Sequence, residues 1–550
     1  MSGATDSETR PQALAESPST TPALPATQPQ VLAESSSATP ALPVTWAAAL
    51  AVLCGVCYFL AFPGIDLWPL GFVALIPLRL ALLGQTPKRA FWFGWLSGLT
   101  MISLGFYWMV DMMRQFSGFS TPLCVGMLLI VNAFQAGRMG LFAWLFVRGE
   151  RRFPAGVVWL CALVTSELSF PVLFFWSFGA VVHGQIALTQ LAEIGGIYAV
   201  ALVMAAANFG LGEFAVARLQ KRAPNLRTAA TYLAVPVVAA LYGALRIHQV
   251  DARVAAAPKG RIGLVQANMS LAGKRSQPNE GMRRHLAATR ALTAQGPLDL
   301  VIWSETSVMG AMREDEANGI VPRAFATRLH VPLLFGAVLV KKVSDAREYA
   351  YFNSALITDQ SGRVNGRYDK QELVPFSEHM PFGRELPVLY EISPNSGAFE
   401  PGDSDAPLPL GEHRIATLIC NDDAVPALAN RVTQDPNTDL LANLTNDAWF
   451  GDTTEPWIHL ALAKFRAIEH RRFFVRSTNS GVSAFIDPVG RVPAVSHTFQ
   501  EETLTHEVAW LRGRTAYEFL GTRPYWLAGL LSIYAAFSKR KRPVRPVPVA

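Results

Sequence analysis

The chain has 550 residues, of which 51% are hydrophobic and only 16% charged, with 32 Phe and 13 Trp. That balance excludes an ordinary soluble enzyme and a disordered chain, and it fits a membrane protein with a sizeable polar part. The net charge of +6 does not imply nucleic-acid binding, because the basic residues sit in short loops between apolar runs and form no patch interleaved with aromatics.

Residues 1–43 are rich in Ala, Pro, Ser and Thr. They contain an imperfect repeat, in which Leu14-Ala15-Glu16-Ser17 leads to Thr21-Pro22-Ala23-Leu24-Pro25 and Leu32-Ala33-Glu34-Ser35 leads to Thr39-Pro40-Ala41-Leu42-Pro43. Such a composition buries no core and predicts a disordered tail. It carries no basic cluster directly before the next apolar run, which argues against a cleaved signal peptide.

Residues 44–247 read as seven membrane segments, near 44–62, 69–85, 90–112, 121–147, 155–180, 187–216 and 228–247. An eighth, 519–538, has its start interrupted by Arg523 and Pro524, and a basic tail, 539–550, follows. Lys88 and Arg89, then Arg148, Arg151 and Arg152, then Arg218, Lys221, Arg222 and Arg227, and finally Lys539 to Arg542 follow the even-numbered runs, whereas the opposite loops are nearly free of Lys and Arg. The positive-inside rule then puts both termini in the cytoplasm and residues 248–518 outside. In a bacterium this means a multi-pass inner-membrane protein with a periplasmic domain. Arg79 and Asp111, near membrane ends, read as snorkelling side chains.

The outward segment alternates strand-like and helical stretches. Strands are expected at Arg261 to Ala267, Leu298 to Trp303, Val331 to Val340, Asn353 to Thr358, Arg414 to Cys420 and Leu440 to Thr445, with helices near 279–295 and from Pro456 to about Val475. Asp359 to Gly362 and Asp487 to Gly490 are turn signals. This is an α/β domain of its own.

Of five cysteines, Cys54, Cys57, Cys124 and Cys161 lie in apolar runs, where Cys acts as a small hydrophobe. Only Cys420 is in the polar domain, without a disulfide partner there. It ends the run Ile415-Ala416-Thr417-Leu418-Ile419; Glu305 follows Leu300-Val301-Ile302-Trp303 and Ser304; Lys370 precedes Leu373-Val374-Pro375-Phe376. In α/β folds chemistry collects beyond the carboxyl ends of strands. A carboxylate that takes the thiol proton, a thiolate that attacks a carbonyl and an ammonium facing the oxyanion suffice for acyl transfer. Singly, each residue also reads as core filler or surface charge, and spacing alone does not bring the three together.

These residues and their flanks resemble the nitrilase superfamily, and the whole chain from about 45 to 540 is similar to its membrane-embedded apolipoprotein N-acyltransferase family. The matching strings are Ile302-Trp303-Ser304-Glu305, Tyr368-Asp369-Lys370, Leu373-Val374-Pro375-Phe376-Ser377-Glu378, Leu444-Thr445-Asn446-Asp447-Ala448-Trp449-Phe450-Gly451 and Arg476-Ser477-Thr478-Asn479-Ser480-Gly481. Phe62-Pro63 and Trp68-Pro69-Leu70 also look like the family. The resemblance implies an α-β-β-α sandwich inserted among about eight membrane helices. It makes Glu305 the general base, Lys370 the oxyanion stabiliser and Cys420 the nucleophile. Glu378 would support the site, and Trp449, Phe450 and Gly451 would shape the substrate pocket. The implied reaction is ping-pong: Cys420 takes an acyl chain from a phospholipid as a thioester, and the α-amino group of a diacylglyceryl-cysteine on an apolipoprotein accepts it. The family's usual Cys-Tyr-Glu is here Cys420-Asn421-Asp422, with Asn421 and Asp422 in the supporting positions and the shorter Asp422 or the neighbouring Asp423 in place of the Glu; Ser304 replaces the usual Pro and Ser377 the usual Gly.

Two other readings stay open: a membrane-tethered amidase with water as acceptor, and a degenerate non-catalytic homologue. No H-E-x-x-H, no Cys pair in the outward domain and ten scattered His lead to an expectation of no metal and no cofactor. Nothing in the sequence demands a second subunit, so a monomer is expected.

Overall fold

The computed structural model describes residues 41–270, 277–321, 329–342, 349–375, 377–380, 382–383, 385–386, 388–392 and 397–538. The repeat in the N-terminal tail up to residue 40, Phe376 and the basic tail 539–550 lie outside them.

Each apolar run is helical, but several are broken. Val44–Leu60 is one helix. The second run is a short 3-10 turn, Trp68–Phe72, and a helix, Ile76–Leu82. The third bends by 61° between Pro87–Gly105 and the helix that begins at Met109. The fourth is a helix of 29 residues, Thr121–Gly149. The fifth stops at Ser169 rather than near 180. There the side chain of Glu167 accepts from the Phe178 amide and the Ser177 hydroxyl, both at 2.8 Å. A buried carboxyl thus satisfies backbone that has left the helix, as irregular chain among apolar helices requires. Ala192–Leu219 and Leu226–Ala256 follow, and the last helix is Arg523–Phe537. Pro524 occupies its first turn, where a missing N–H costs nothing. Among the described residues three helices are long and apolar enough to cross a membrane, or four if the bent pair is one span. Arg79 does not snorkel: it is buried, bonds the Phe209 carbonyl and pairs with Glu213 at 3.5 Å. Asp111 is exposed and pairs with Arg114.

The polar domain is two sheets. The first runs, by hydrogen-bonded neighbours, β13 (Glu502–Ala509), β1 (Lys259–Gln266), β2 (Leu300–Trp303), β4 (Leu333–Lys342), β5 (Tyr349–Thr358), β6 (Val364–Asp369), with β3 (Val308–Arg313) also on β4. The second runs β12 (Ala494–Val495), β11 (Ala484–Ile486), β10 (Phe474–Thr478), β9 (Leu440–Thr445), β8 (His413–Ile419), β7 (Leu408–Leu410). Ile262, Ile302 and Ile357 of one sheet share a buried core with Leu418, Leu444 and Phe474 of the other. The outer face of the first sheet, with Val301 and Phe335, packs on Leu286 and Leu292 of the helix Pro278–Ala294. The outer face of the second packs on Leu428 of Pro426–Val432 and on Leu460 and Ala463 of Glu455–His470. That is an α-β-β-α sandwich.

The helix Glu455–His470 ends five residues before the expected Val475. Arg471 takes a left-handed conformation, φ 51°, and Phe474 opens β10. Every residue of this helix except Trp457 is buried. A helix apolar or paired all round is an interior helix. Its second face, Ile458, Leu462, Phe465 and Ile468, joins the core of the apolar helices. The helix Ala192–Leu219 kinks at Gly195 and Gly196. Gly196 sits at φ 65°, and a Cβ there would meet the Tyr517 ring at 2.6 Å. The kink frees the Ile197 amide, which Glu469 accepts at 2.9 Å.

Candidate active site

Glu305 lies just past the end of β2, with Ser304 between. Its backbone passes so close to β4 that a Cβ on Gly336 would meet Glu305 backbone atoms at 2.8 Å, so only glycine fits there. The Glu305 carboxyl accepts from Asn353 Nδ2 at 2.7 Å and meets Lys370 Nζ at 3.5 Å. Lys370 follows β6 and is 1% exposed. Its ammonium lies 2.7 Å from Glu378 Oε2. Glu378 is held in turn by Asn353 Nδ2 at 3.0 Å and by the Val374 amide at 3.0 Å. One lysine and one asparagine therefore tie two carboxylates together.

Cys420 follows β8 at φ 50°, a left-handed conformation that costs a residue with a Cβ about 1–2 kcal/mol. Asn443 Nδ2 holds its carbonyl at 2.9 Å, and the Thr445 side chain favours the ionised form of the thiol. The turn is fixed further by Asp422, which is fully buried. Its carboxyl accepts from the Ile419 amide at 3.0 Å, the Tyr368 hydroxyl at 2.9 Å and the Glu372 amide at 2.8 Å. Tyr368 and Glu372 stand two residues either side of Lys370. Asp422 thus fastens the lysine segment to the cysteine turn, and burial raises its pKa to about 7.

Burial pushes the Cys420 thiol well above the usual range; Lys370 pulls it down, while Glu305 and Glu378 push it further up. Burial opposes the Lys370 ammonium, but Cys420, Glu378 and Glu305 outweigh it and hold the amine protonated. Burial thus favours the neutral form of Cys420, and Glu378 and Glu305 favour the charged form of Lys370.

Glu305, Lys370, Cys420, Glu378, Asn421, Trp449 and Phe450 all line one cavity of about 290 Å³. Asp422 stands behind it. Gly451 is not on its wall; with φ 66° it turns the chain after Phe450. The opposite wall was not anticipated: Phe106, Trp108, Met112, Phe174 and Phe175 enter from the apolar helices. Trp108 packs edge-on against Phe450, ring centroids 5.0 Å apart. Asn353 and Thr445 were also missed. The bend after Gly105 and the break after Ser169 deliver the aromatic wall.

Glu455 and His459 line the cavity too, and with Asp447 behind them bring ligand-type atoms within 4.8 Å of one another. Arg476 already fills this cluster, at 2.9 Å from Asp447 and 3.0 Å from Asp423, while His459 Nε2 bonds Asp423 at 2.6 Å. Burial and Arg476 oppose a charged His459, yet Asp423 and Asp447 prevail and raise it to about 10; burial and Asp447 raise Glu455 to about 8. The result is an ion-pair network that anchors the residue after Asp422 to the Glu455–His470 helix.

A thiol, a carboxylate and a buried ammonium thus meet at strand ends in one cavity with an apolar wall. Residues 261–515 match the carbon-nitrogen hydrolase family, and residues 54–210 match the apolipoprotein N-acyltransferase N-terminal domain. The chain is 30% identical to an apolipoprotein N-acyltransferase of Geobacter metallireducens, over 90% of this chain and 95% of that one. It is 32% identical to that of Azotobacter vinelandii, over 91% and 96%. Among solved structures, Nit3 of Saccharomyces cerevisiae, a member of branch 10 of the nitrilase superfamily, superposes on 52% of this chain and 97% of its own at 16% identity, TM-score 0.35. The chain belongs to the apolipoprotein N-acyltransferase family, and it is a membrane acyltransferase.

Proposed function

We propose that the chain moves an acyl chain from a membrane phospholipid, through a thioester on Cys420, to the α-amino group of a diacylglyceryl-cysteine at an apolipoprotein N-terminus. The observation that carries this reading is the two-sided cavity: Glu305, Lys370 and Cys420 on one wall, aromatic residues of the apolar helices on the other. Glu305 takes the Cys420 proton as sulfur attacks the ester carbonyl. The oxyanion forms beside Lys370, in a site where burial strengthens the attraction. Collapse breaks the ester C–O bond, and the lysophospholipid oxygen leaves with the proton from Glu305. In the second half the amine attacks the thioester, the C–N bond forms, and the proton from nitrogen returns through Glu305 to the departing sulfur. Glu378 and Asn353 position Glu305 and Lys370, and Trp449 and Phe450 shape the acyl pocket. On this reading the chain crosses a bacterial inner membrane eight times, with both termini in the cytoplasm and residues 248–518 in the periplasm. Donor and acceptor are then lipids of one leaflet, and the search for the site is two-dimensional.

Intact-mass analysis of the purified protein mixed with phosphatidylethanolamine, beside Cys420→Ala, tests the first half-reaction. A hydroxylamine-labile acyl adduct on the wild type alone is expected. A folded wild type that carries no adduct with any of several phospholipids would remove the proposal.

A further inference from the structure

A second cavity, of about 360 Å³, shares no residue with the first. It opens where the start of the helix Ala192–Leu219, the last turns of Leu226–Ala256 and residues 512–516 meet. Its walls carry five arginines, Arg246, Arg253, Arg471, Arg512 and Arg514, against one acid, Glu193. Carboxylates neutralise only part of that charge. Arg246 and Arg471 both lean on Glu193, at 2.6 Å and 2.8 Å. Arg512 reaches Asp439 at 2.8 Å. Arg253 donates to the carbonyl of Arg512 at 3.1 Å and Arg514 to that of Gln434 at 2.6 Å. Neither meets a carboxylate among the described residues. A carbonyl takes one of a guanidinium's five N–H donors and none of its charge.

The surroundings of the cavity are those of a lipid. Tyr242, Arg246, Gln249 and Arg253 recur at helical spacing and form one face. Directly N-terminal on the same helix, Val238, Leu241 and Leu245 are exposed, and so are Phe519 and Trp526 just after the 512–516 segment. An apolar strip that ends at a cluster of arginines, two of them without a carboxylate partner among the described residues, suits an amphiphile with an oxyanion at its head. Guanidinium forks match phosphate oxygens bidentately, and cations at a membrane surface attract anionic lipids.

We propose that this cavity binds the phosphate group of an anionic membrane lipid, at a site separate from Cys420 and independent of the chemistry proposed there. The full chain, delipidated in detergent, would be titrated with phosphatidylglycerol, with zwitterionic phosphatidylcholine and with inorganic phosphate, and bound species counted by native mass spectrometry. The wild type is expected to hold one phosphatidylglycerol and to prefer it to phosphatidylcholine. The double variant Arg253→Gln, Arg514→Gln should bind it about tenfold or more weakly, the factor for one lost charge-assisted hydrogen-bond pair. Lys88→Gln, which removes an exposed cation far along the chain, should bind as the wild type does. If the double variant fails to fold, Gln249→Glu decides: Gln249 is exposed, and a carboxylate at that position should weaken phosphatidylglycerol binding without disturbing packing. Unchanged binding in a folded variant, equal binding of phosphatidylcholine, or full displacement by millimolar inorganic phosphate would each overturn the lipid assignment.

Discussion

The three contacts of Asp422 define what its loss should do. In Asp422→Ala the Ile419 amide, the Glu372 amide and the Tyr368 hydroxyl lose their acceptor at once, the first and last fully buried and the Glu372 amide partly so. An orphaned buried donor costs about 1–3 kcal/mol. Three donors at the lower part of that range give a loss of about 3–6 kcal/mol, or about 10 °C in melting midpoint for a domain of this size. Asp422→Asn keeps an oxygen for two donors but faces the third with an NH2, so its loss should be about a third as large. The catalytic consequence is separate. Tyr368 and Glu372 bracket Lys370, so losing their anchor frees the ammonium relative to the thiol, and a misplacement of about 1 Å costs about a hundredfold in rate. Thermal melts and the rate of acyl-adduct formation on Cys420, measured on wild type, Asn and Ala variants, check both effects. A destabilised Ala variant that acylates at the wild-type rate would show that Asp422 holds the fold without positioning Lys370. A variant with unchanged melting would refute the hydrogen-bond reasoning itself.

Asn353→Ala should slow adduct formation by about ten- to a hundredfold with a smaller change in melting, because two carboxylates lose their shared donor while Lys370 still contacts both; Asn353→Asp should be worse, since a third carboxylate crowds the pair. Trp108→Ala should raise the concentration of long-chain phospholipid needed for half-maximal acylation and leave short-chain thioester or aryl-ester hydrolysis nearly intact, a contrast read by steady-state kinetics on the two substrate types. Glu455 and His459 both have raised folded-state pKa values, about 8 and about 10. Each then favours folding most when protonated: the Glu455 contribution is full below its ordinary value and is lost as pH rises through 8, that of His459 as pH rises through 10. Melting should therefore fall between pH 5 and 10, and Glu455→Gln should match the wild type at pH 5 but exceed it at pH 9; equal curves would refute the assigned protonation.

The elements that could be read in advance are those whose burial is apolar and continuous. β9 fell at Leu440–Thr445 as expected because all six residues are buried and both ends are marked by turns. β6 escaped notice because five of its six residues are at least partly exposed, so no apolar run betrays it. The same logic divides the site. Glu305 and Cys420 announce themselves as polar residues that stop a buried strand. Asn353 sits within β5 beside Tyr351 and Phe352, and nothing marks it until the loop of Glu378 comes to lie across it. Lys370 stands out only as the charge before Leu373-Val374-Pro375-Phe376, Glu378 takes its role from the family resemblance, and only the fold brings both to one cavity.

The aromatic wall was hidden for a different reason. Phe106, Trp108, Phe174 and Phe175 belong to runs in which an aromatic facing lipid and one facing a substrate look alike. What separates them is broken helix geometry, and breaks among apolar helices persist only where other groups satisfy the freed backbone. Glu167 does this before the Phe174 segment, and Glu469 does it at the Gly196 kink. The Gly196 kink lies against the Glu455–His470 helix, which packs on the second sheet with one face and on the apolar helices with the other. Because this helix also carries Ile458 and Leu462 into the cavity, the acyl pocket and the union of the two halves depend on the same side chains. A separate soluble domain would keep Glu305, Lys370 and Cys420 together and lose the surface against which an acyl chain can lie.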